Sequence, residues 1–109
     1  MTQDQLLASI EKGTPPVIVD VRSRWEYESG HVPGALHIPF HALWTRHSEI
    51  KRNPADQVVL YCEHGPRAWI GGFALWTLGY KNLTYLEGHM SCWKNRGLPT
   101  EKPSGKSQR

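Results

Sequence analysis

Two cysteines in 109 residues are too few for a disulfide framework, and no Cys-x-x-Cys pair offers a zinc site. No apolar run approaches the roughly 18 residues that cross a bilayer. An apolar leader is also missing, because Met1 is followed by the polar Thr2, Gln3, Asp4 and Gln5. The expectation is a cytoplasmic protein, or a periplasmic one if a leader has been removed. Charge of one sign is scarce as well. The net charge is only +3, and Lys102, Lys106 and Arg109 against Glu101 put most of that excess in the C-terminal tail. Nucleic-acid binders gather Lys and Arg on one face, so neither nucleic acid nor membrane is expected as a partner. The histidines lie in loops and on different elements, without the spacing of a helical zinc pair, so no metal and no cofactor are expected.

What is present reads as one small globular domain. The chain is 39% hydrophobic and 21% charged, near the globular average, and its length leaves no room for two domains. Residues 1–99 form the domain, and 100–109 read as a disordered basic tail. Helix and strand signals alternate. Thr2 or Asp4 caps a helix through Ile10, with Gly13 as its stop. Val17–Asp20 is a β-branched run of the kind buried on both faces of a sheet. A short helix follows at Arg24–Ser29, then a strand at Leu36–Pro39, a helix over 41–50 and a loop at Asn53, Pro54 and Asp56. Val58–Tyr61 is apolar on both faces and therefore central. An apolar helix runs from Pro66 to Leu78, a strand over Leu83–Leu86 and a last helix over His89–Arg96. Trp69, Ile70, Phe73, Leu75 and Trp76 describe a helix buried nearly all round, with Gly71 and Gly72 pressed on the sheet. Trp93 anchors the last helix. The fold class is α/β: a small, open, mainly parallel sheet of four to five short strands with helices on both faces.

In such sheets, sites form beyond the carboxyl ends of the strands. Asp20 and Arg22 follow the first strand, Cys62 the central one, and Glu87 and His89 the last. Cys62 has the most telling setting, where a buried strand passes through a short loop into a helix N-terminus. Amides of that loop and first turn have no intrahelical partner, and they favour thiolate over thiol by about 0.3–1 kcal/mol. Arg67 adds a positive charge, Gly65 lets the loop close tightly, and Pro66 suits the first turn. Glu63 opposes a neighbouring thiolate and would repel anionic donors if turned inward; it is expected to face solvent, and its charge counts against thiosulfate as a good donor. His64 is a candidate proton donor. Cys62 to Ala68 is thus the candidate anion-binding loop: Cys62, Glu63, His64, Gly65, Pro66, Arg67 and Ala68.

Cys62-Glu63-His64-Gly65-Pro66-Arg67 resembles the C-x-x-G-x-R active-site loop of single-domain rhodanese-like sulfurtransferases. Residues 17–39 (VIVDVRSRWEYESGHVPGALHIP) and 78–99 (LGYKNLTYLEGHMSCWKNRGLP) resemble two further motifs of that family. The resemblance implies ping-pong transfer of a sulfane sulfur through a Cys62 persulfide. The donor is a small anion such as thiosulfate, and the acceptor is cyanide, a thiol or a protein. It further implies that Asp20 supports the loop from below and that Arg22, Glu26 and His31 belong to the scaffold. His89 stands where the family often has Gly, at the pocket rim or in a solvated loop. A monomer or weak dimer is expected. Two alternatives remain: a non-turnover persulfide carrier or protein-interaction module, and a cysteine phosphatase or arsenate reductase. The latter resembles C-x5-R, one residue longer than the Cys62–Arg67 loop.

Overall fold

A computed structural model describes residues 1–50 and 56–102. Both early helices start on side-chain caps. Thr2 accepts from the Gln5 amide while Gln5 accepts from the Thr2 amide, opening α1 (Gln3–Glu11); Ser23 and Glu26 do the same for α2 (Arg24–Ser29). Four strands follow the β-branched runs: β1 (Val17–Asp20), β2 (Leu36–His37), β3 (Val58–Tyr61) and β4 (Leu83–Tyr85). All pair in parallel, in the order β2-β1-β3-β4. The fold is therefore the small open α/β architecture expected, with four strands among the described residues.

The chain first builds outward from β1 to β2, then returns to lay β3 on the opposite side of β1. The direction in which strands are added thus reverses between β1 and β3, where Asp20 and Tyr61 are register partners at the ends of two parallel strands. In open parallel sheets this switch point is where a crevice forms and ligands bind.

Alternation along the strands divides the core. Val19, Val58, Leu60 and Cys62 join Leu43, Ala68, Ala74 and Leu75 on one face. Ile18, Val59 and Tyr61 join Leu6, Leu86, Met90 and Trp93 on the other. The first face is covered by α3 (Leu43–Arg46) and α4 (Pro66–Thr77); the second by α1 and α5 (His89–Asn95).

Three expectations need correction. The helix over 41–50 is broken into a 3-10 turn at Phe40–Ala42, the four-residue α3 and a second 3-10 turn at His47–Glu49, without side-chain caps. Pro39 starts the first turn, and the segment follows the rim of the core through Leu43 and Ile50 rather than one helical stripe. The helix α4 is not buried all round. Trp69, Ile70, Phe73 and Trp76 are exposed at 46–66%. Its sheet side belongs to Ala68, Gly71, Gly72, Ala74 and Leu75, and Leu43 and Tyr85 crowd the two glycines: a Cβ on Gly71 would lie 2.8 Å from Leu43 Cδ1, and one on Gly72 would overlap the Tyr85 hydroxyl. At the C-terminus, Glu101, assigned from sequence to the tail, exchanges backbone hydrogen bonds with His31 at 2.8 and 2.9 Å. Residues 103–109 and the expected loop at Asn53 and Pro54 lie outside the described residues. Among the described residues no helix is long and apolar enough to cross a membrane.

Candidate active site

Cys62 continues β3 by one residue and turns its sulfur toward the α4 side of the sheet. It is 1% exposed, deeper than a shallow nest would leave it. The loop does close on the sulfur. Gly65, the residue before α4, sends its amide to Cys62 Sγ at 2.9 Å. Its φ of 134° is one that L side chains rarely adopt, and a Cβ there would meet Trp69 Cζ2 at 3.2 Å and His89 Nε2 at 3.3 Å. Glycine is required on both counts. Among the described residues, the amides of Glu63, His64, Arg67 and Ala68 donate to no protein acceptor, whereas the Glu63 carbonyl is held by Ser91 and the Cys62 carbonyl by Met90. Unpaired amides in a loop that leads into a helix make a concavity suited to an anion.

His89 is brought into the site from α5, where the sequence reading left it at the rim or in solvent. It is 7% exposed, and Cys62 N–H donates to its Nδ1 at 3.3 Å. This bond requires Nδ1 unprotonated, so a neutral ring carries its proton on Nε2. The residue adopts φ 53°, the left-handed region, immediately after Gly88. Burial, then the charge on the exposed His64, push the His89 pKa below its usual 6.5.

The side-chain charges around the loop cancel in pairs. Asp20 receives Arg22 Nη2 at 2.8 Å and the Tyr61 hydroxyl at 2.8 Å. Arg22 in turn reaches the Gly30 carbonyl at 2.8 Å and Glu63 Oε1 at 3.1 Å. Burial opposes the Arg22 charge, but the Asp20 carboxylate outweighs it and raises the arginine pKa. Asp20 therefore supports the loop at one remove, through Arg22 and Glu63. Glu63 does not face solvent: its other oxygen accepts from Lys94 Nζ at 2.8 Å. Burial alone would raise its pKa, yet Lys94 and Arg22 lower it. Its repulsion of anions is compensated, which removes the sequence argument against a thiosulfate donor.

Arg67 lies near Cys62, but its guanidinium fork is engaged. Nη1 meets Glu26 Oε1 at 2.6 Å and Nη2 meets Oε2 at 2.9 Å. The Arg67 bonds hold the Glu26 pKa down to about 2, against the cost of burial. Glu26 was read as scaffold. It is the capping residue of α2 as well, so one local motif presents the carboxylate that fixes Arg67. The Ser-x-x-Glu spacing was visible; the pairing across 41 residues was not. Tyr61, which ties Asp20 to the Val32 amide at 3.0 Å, was likewise missed. Pro66 and Ala68 form the first turn of α4, Ala68 buried beneath the loop.

Comparisons with known proteins bear on the family and the fold. The family model described as a rhodanese-like domain matches residues 2–96. A protein named sulfurtransferase from Allochromatium vinosum is 37% identical over 90 residues, covering 82% of this chain and 81% of its own length. The putative sulfur carrier protein YrkF of Bacillus subtilis is 30% identical over 72% of this chain, which spans only 42% of that relative. Among solved structures, the Alr3790 protein from Anabaena superposes with a TM-score of 0.84 at 28% identity, covering 94% of this chain and 82% of that one.

Proposed function

This chain belongs to the rhodanese-like domain family, and on that premise we propose that it transfers sulfane sulfur through a persulfide on Cys62. The Cys62 thiolate attacks the outer sulfur of thiosulfate. The S–S bond of the donor breaks, sulfite leaves with the electron pair, and Cys62 retains a persulfide of the same charge as the original thiolate. An acceptor thiolate, or cyanide, then attacks the terminal sulfur, and the Cys62 thiolate is the leaving group. No oxidant or metal enters either step. The single observation that carries the reading is the Gly65 amide donating to Cys62 Sγ at 2.9 Å, with further undonated amides beside it. Preorganised donors of this kind are worth most where water is excluded. Because the three cations Arg22, Arg67 and Lys94 are each paired with a carboxylate, their positive field at the sulfur is partly compensated, and the Gly65 amide is the donor in direct contact with it.

Intact-mass measurement after thiosulfate treatment tests the proposal. One added sulfur is expected on the chain, removed by cyanide and absent in Cys62→Ser. A chain that stays unmodified, or that gains the same mass in Cys62→Ser, sinks it.

A second reading, a carrier that holds its persulfide for a partner, is favoured by the 1% exposure of Cys62. Steady-state turnover with thiosulfate and a small thiol separates the two. An enzyme gives parallel double-reciprocal lines and many turnovers; a carrier stops after one sulfur.

A further inference from the structure

The helix that delivers the Gly65 amide is built inside out. Its smallest residues meet the sheet, and its largest apolar residues face away from it. Trp69, Ile70, Phe73 and Trp76 are 57%, 46%, 57% and 66% exposed. Phe73 and Trp76 touch, with ring centroids 6.1 Å apart. At the far end Trp44, 46% exposed, donates its indole N–H to Thr77 at 3.0 Å and so extends the stripe. At the near end Trp69 lies against Gly65 of the loop. The fold gives no reason for this arrangement, since nothing in the described core needs these rings.

Taking about 200 Å² as the area one of these large side chains can bury, Trp69, Ile70, Phe73 and Trp76 expose roughly 450 Å², and Trp44 brings the stripe to roughly 550 Å². Patches of this size on monomers are often functional. A standard stable interface buries about 800 Å² on each partner, so the stripe alone is too small for a lasting dimer. It fits the smaller interfaces of short-lived redox and signalling encounters. From Trp69 to Trp76 the helix rises about 10 Å, the reach of a short peptide segment. Cyanide and thiosulfate have no use for such a surface.

We infer that the outward face of α4 docks the protein that takes sulfur from Cys62, through apolar residues flanking that partner's reactive cysteine. The inference rests on the persulfide reading and adds the partner's chemistry to it. Docking along Trp76, Phe73 and Trp69 brings the partner's thiolate to the loop end of the stripe, where it attacks the outer sulfur and Cys62 leaves as thiolate.

The test uses the full chain, loaded with sulfur, and two equal-length peptides with one central cysteine. One carries leucine and phenylalanine flanks, the other serine and glycine. Transfer to the apolar peptide is expected to be about tenfold faster, a ratio equivalent to about 1.4 kcal/mol. The double variant Phe73→Ser and Trp76→Ser is expected to erase that advantage while transfer to cyanide stays unchanged. Equal rates with the two peptides, or an advantage that survives the substitutions, overturns the inference. A dimer in sedimentation that these substitutions dissociate assigns the face to a second copy instead, and residue-dependent flotation with phosphatidylcholine–phosphatidylserine vesicles assigns it to a membrane; either overturns it. A separate arm needs no sulfur chemistry: Cys62→Ser is titrated with the same peptides bearing serine for cysteine, and binding is read by tryptophan fluorescence. Saturable binding of the apolar peptide alone upholds the surface even if Cys62 never loads; its absence overturns the surface even if Cys62 does.

Discussion

On one face of the sheet, α5 drives Trp93 and Met90 into the core against Leu6 and Leu86, all fully buried. On the other, α4 meets the strands with Ala68, Gly71, Gly72, Ala74 and Leu75 and turns its aromatic residues outward. Both helices begin beside Cys62. From α5 comes His89, which accepts the Cys62 amide; from the start of α4 comes Gly65, which donates to the sulfur. The two faces divide the labour. On the α5 side the covering helix itself brings bulk to the sheet, in Trp93 and Met90, whereas small residues on α4 let that helix approach the sheet closely, since the distance between packed elements follows the side chains between them. Close approach is what sets the loop down over the end of β3.

The comparison breaks most visibly if tryptophans on the two helices are truncated. Trp93→Ala removes a fully buried indole whose Nε1 donates to the Pro99 carbonyl at 2.7 Å, and a loss of about 3–5 kcal/mol is expected. Against a total of about 5–15 kcal/mol, that leaves the domain marginal. Trp76→Ala should stay within about 0.5 kcal/mol of the parent. Urea midpoints measure both. Similar losses would mean that the outer face of α4 is part of the core after all.

A finer break separates the two glycines of α4. A Cβ on Gly72 meets three atoms of the Tyr85 ring end, while one on Gly71 presses mainly on a single methyl at the end of the Leu43 side chain. Overpacking costs about 1–3 kcal/mol, offset by about 1 kcal/mol of helix propensity gained over glycine. Gly72→Ala is therefore expected to lose about 1 kcal/mol net, and Gly71→Ala to lie near neutral. Stabilisation by both, in the same urea titrations, would show that α4 does not need its close approach.

Local chemistry made much of this legible before any coordinates. The cap offered at Thr2 or Asp4, of which Thr2 serves, the β-branched runs at Val17–Asp20 and Val58–Tyr61, and Gly65 are short-range signals, and each element stands where they place it. Cys62 at a strand end before Gly65 and Pro66 belongs to the same class. What stayed hidden depends on distance along the chain. Glu26 with Arg67, Arg22 with Glu63 and Tyr61 with Asp20 each join residues 41 apart, and nothing local announces such pairs. The inside-out helix was half legible. At 100° per residue, glycines 71 and 72 on the sheet turn Phe73 away from it, but hydrophobicity alone suggested burial for every large residue.

The smallest effect is the one that tests the α5 side of the site directly. His89 holds the Cys62 amide only while Nδ1 is unprotonated, and burial, followed by His64, lowers its pKa below 6.5. Facing it are Cys62, Gly65 and His64; Gln3 binds its carbonyl at 3.0 Å from α1. Below pH 6.5 the unfolded chain takes up this proton more readily than the folded one, so stability rises with pH across that window. The contribution is fully present above 6.5 and is lost as pH falls through the lowered folded value. His89→Asn removes the titrating ring while retaining a residue that tolerates the left-handed backbone at φ 53°. The difference in urea midpoint between parent and variant should narrow as pH falls from 7 toward 5, with sulfur loading of Cys62 weakening in the parent over the same range. A difference that stays constant across that range would assign His89 to packing alone and leave the Gly65 amide at Sγ and the Met90 amide at the carbonyl to hold the cysteine.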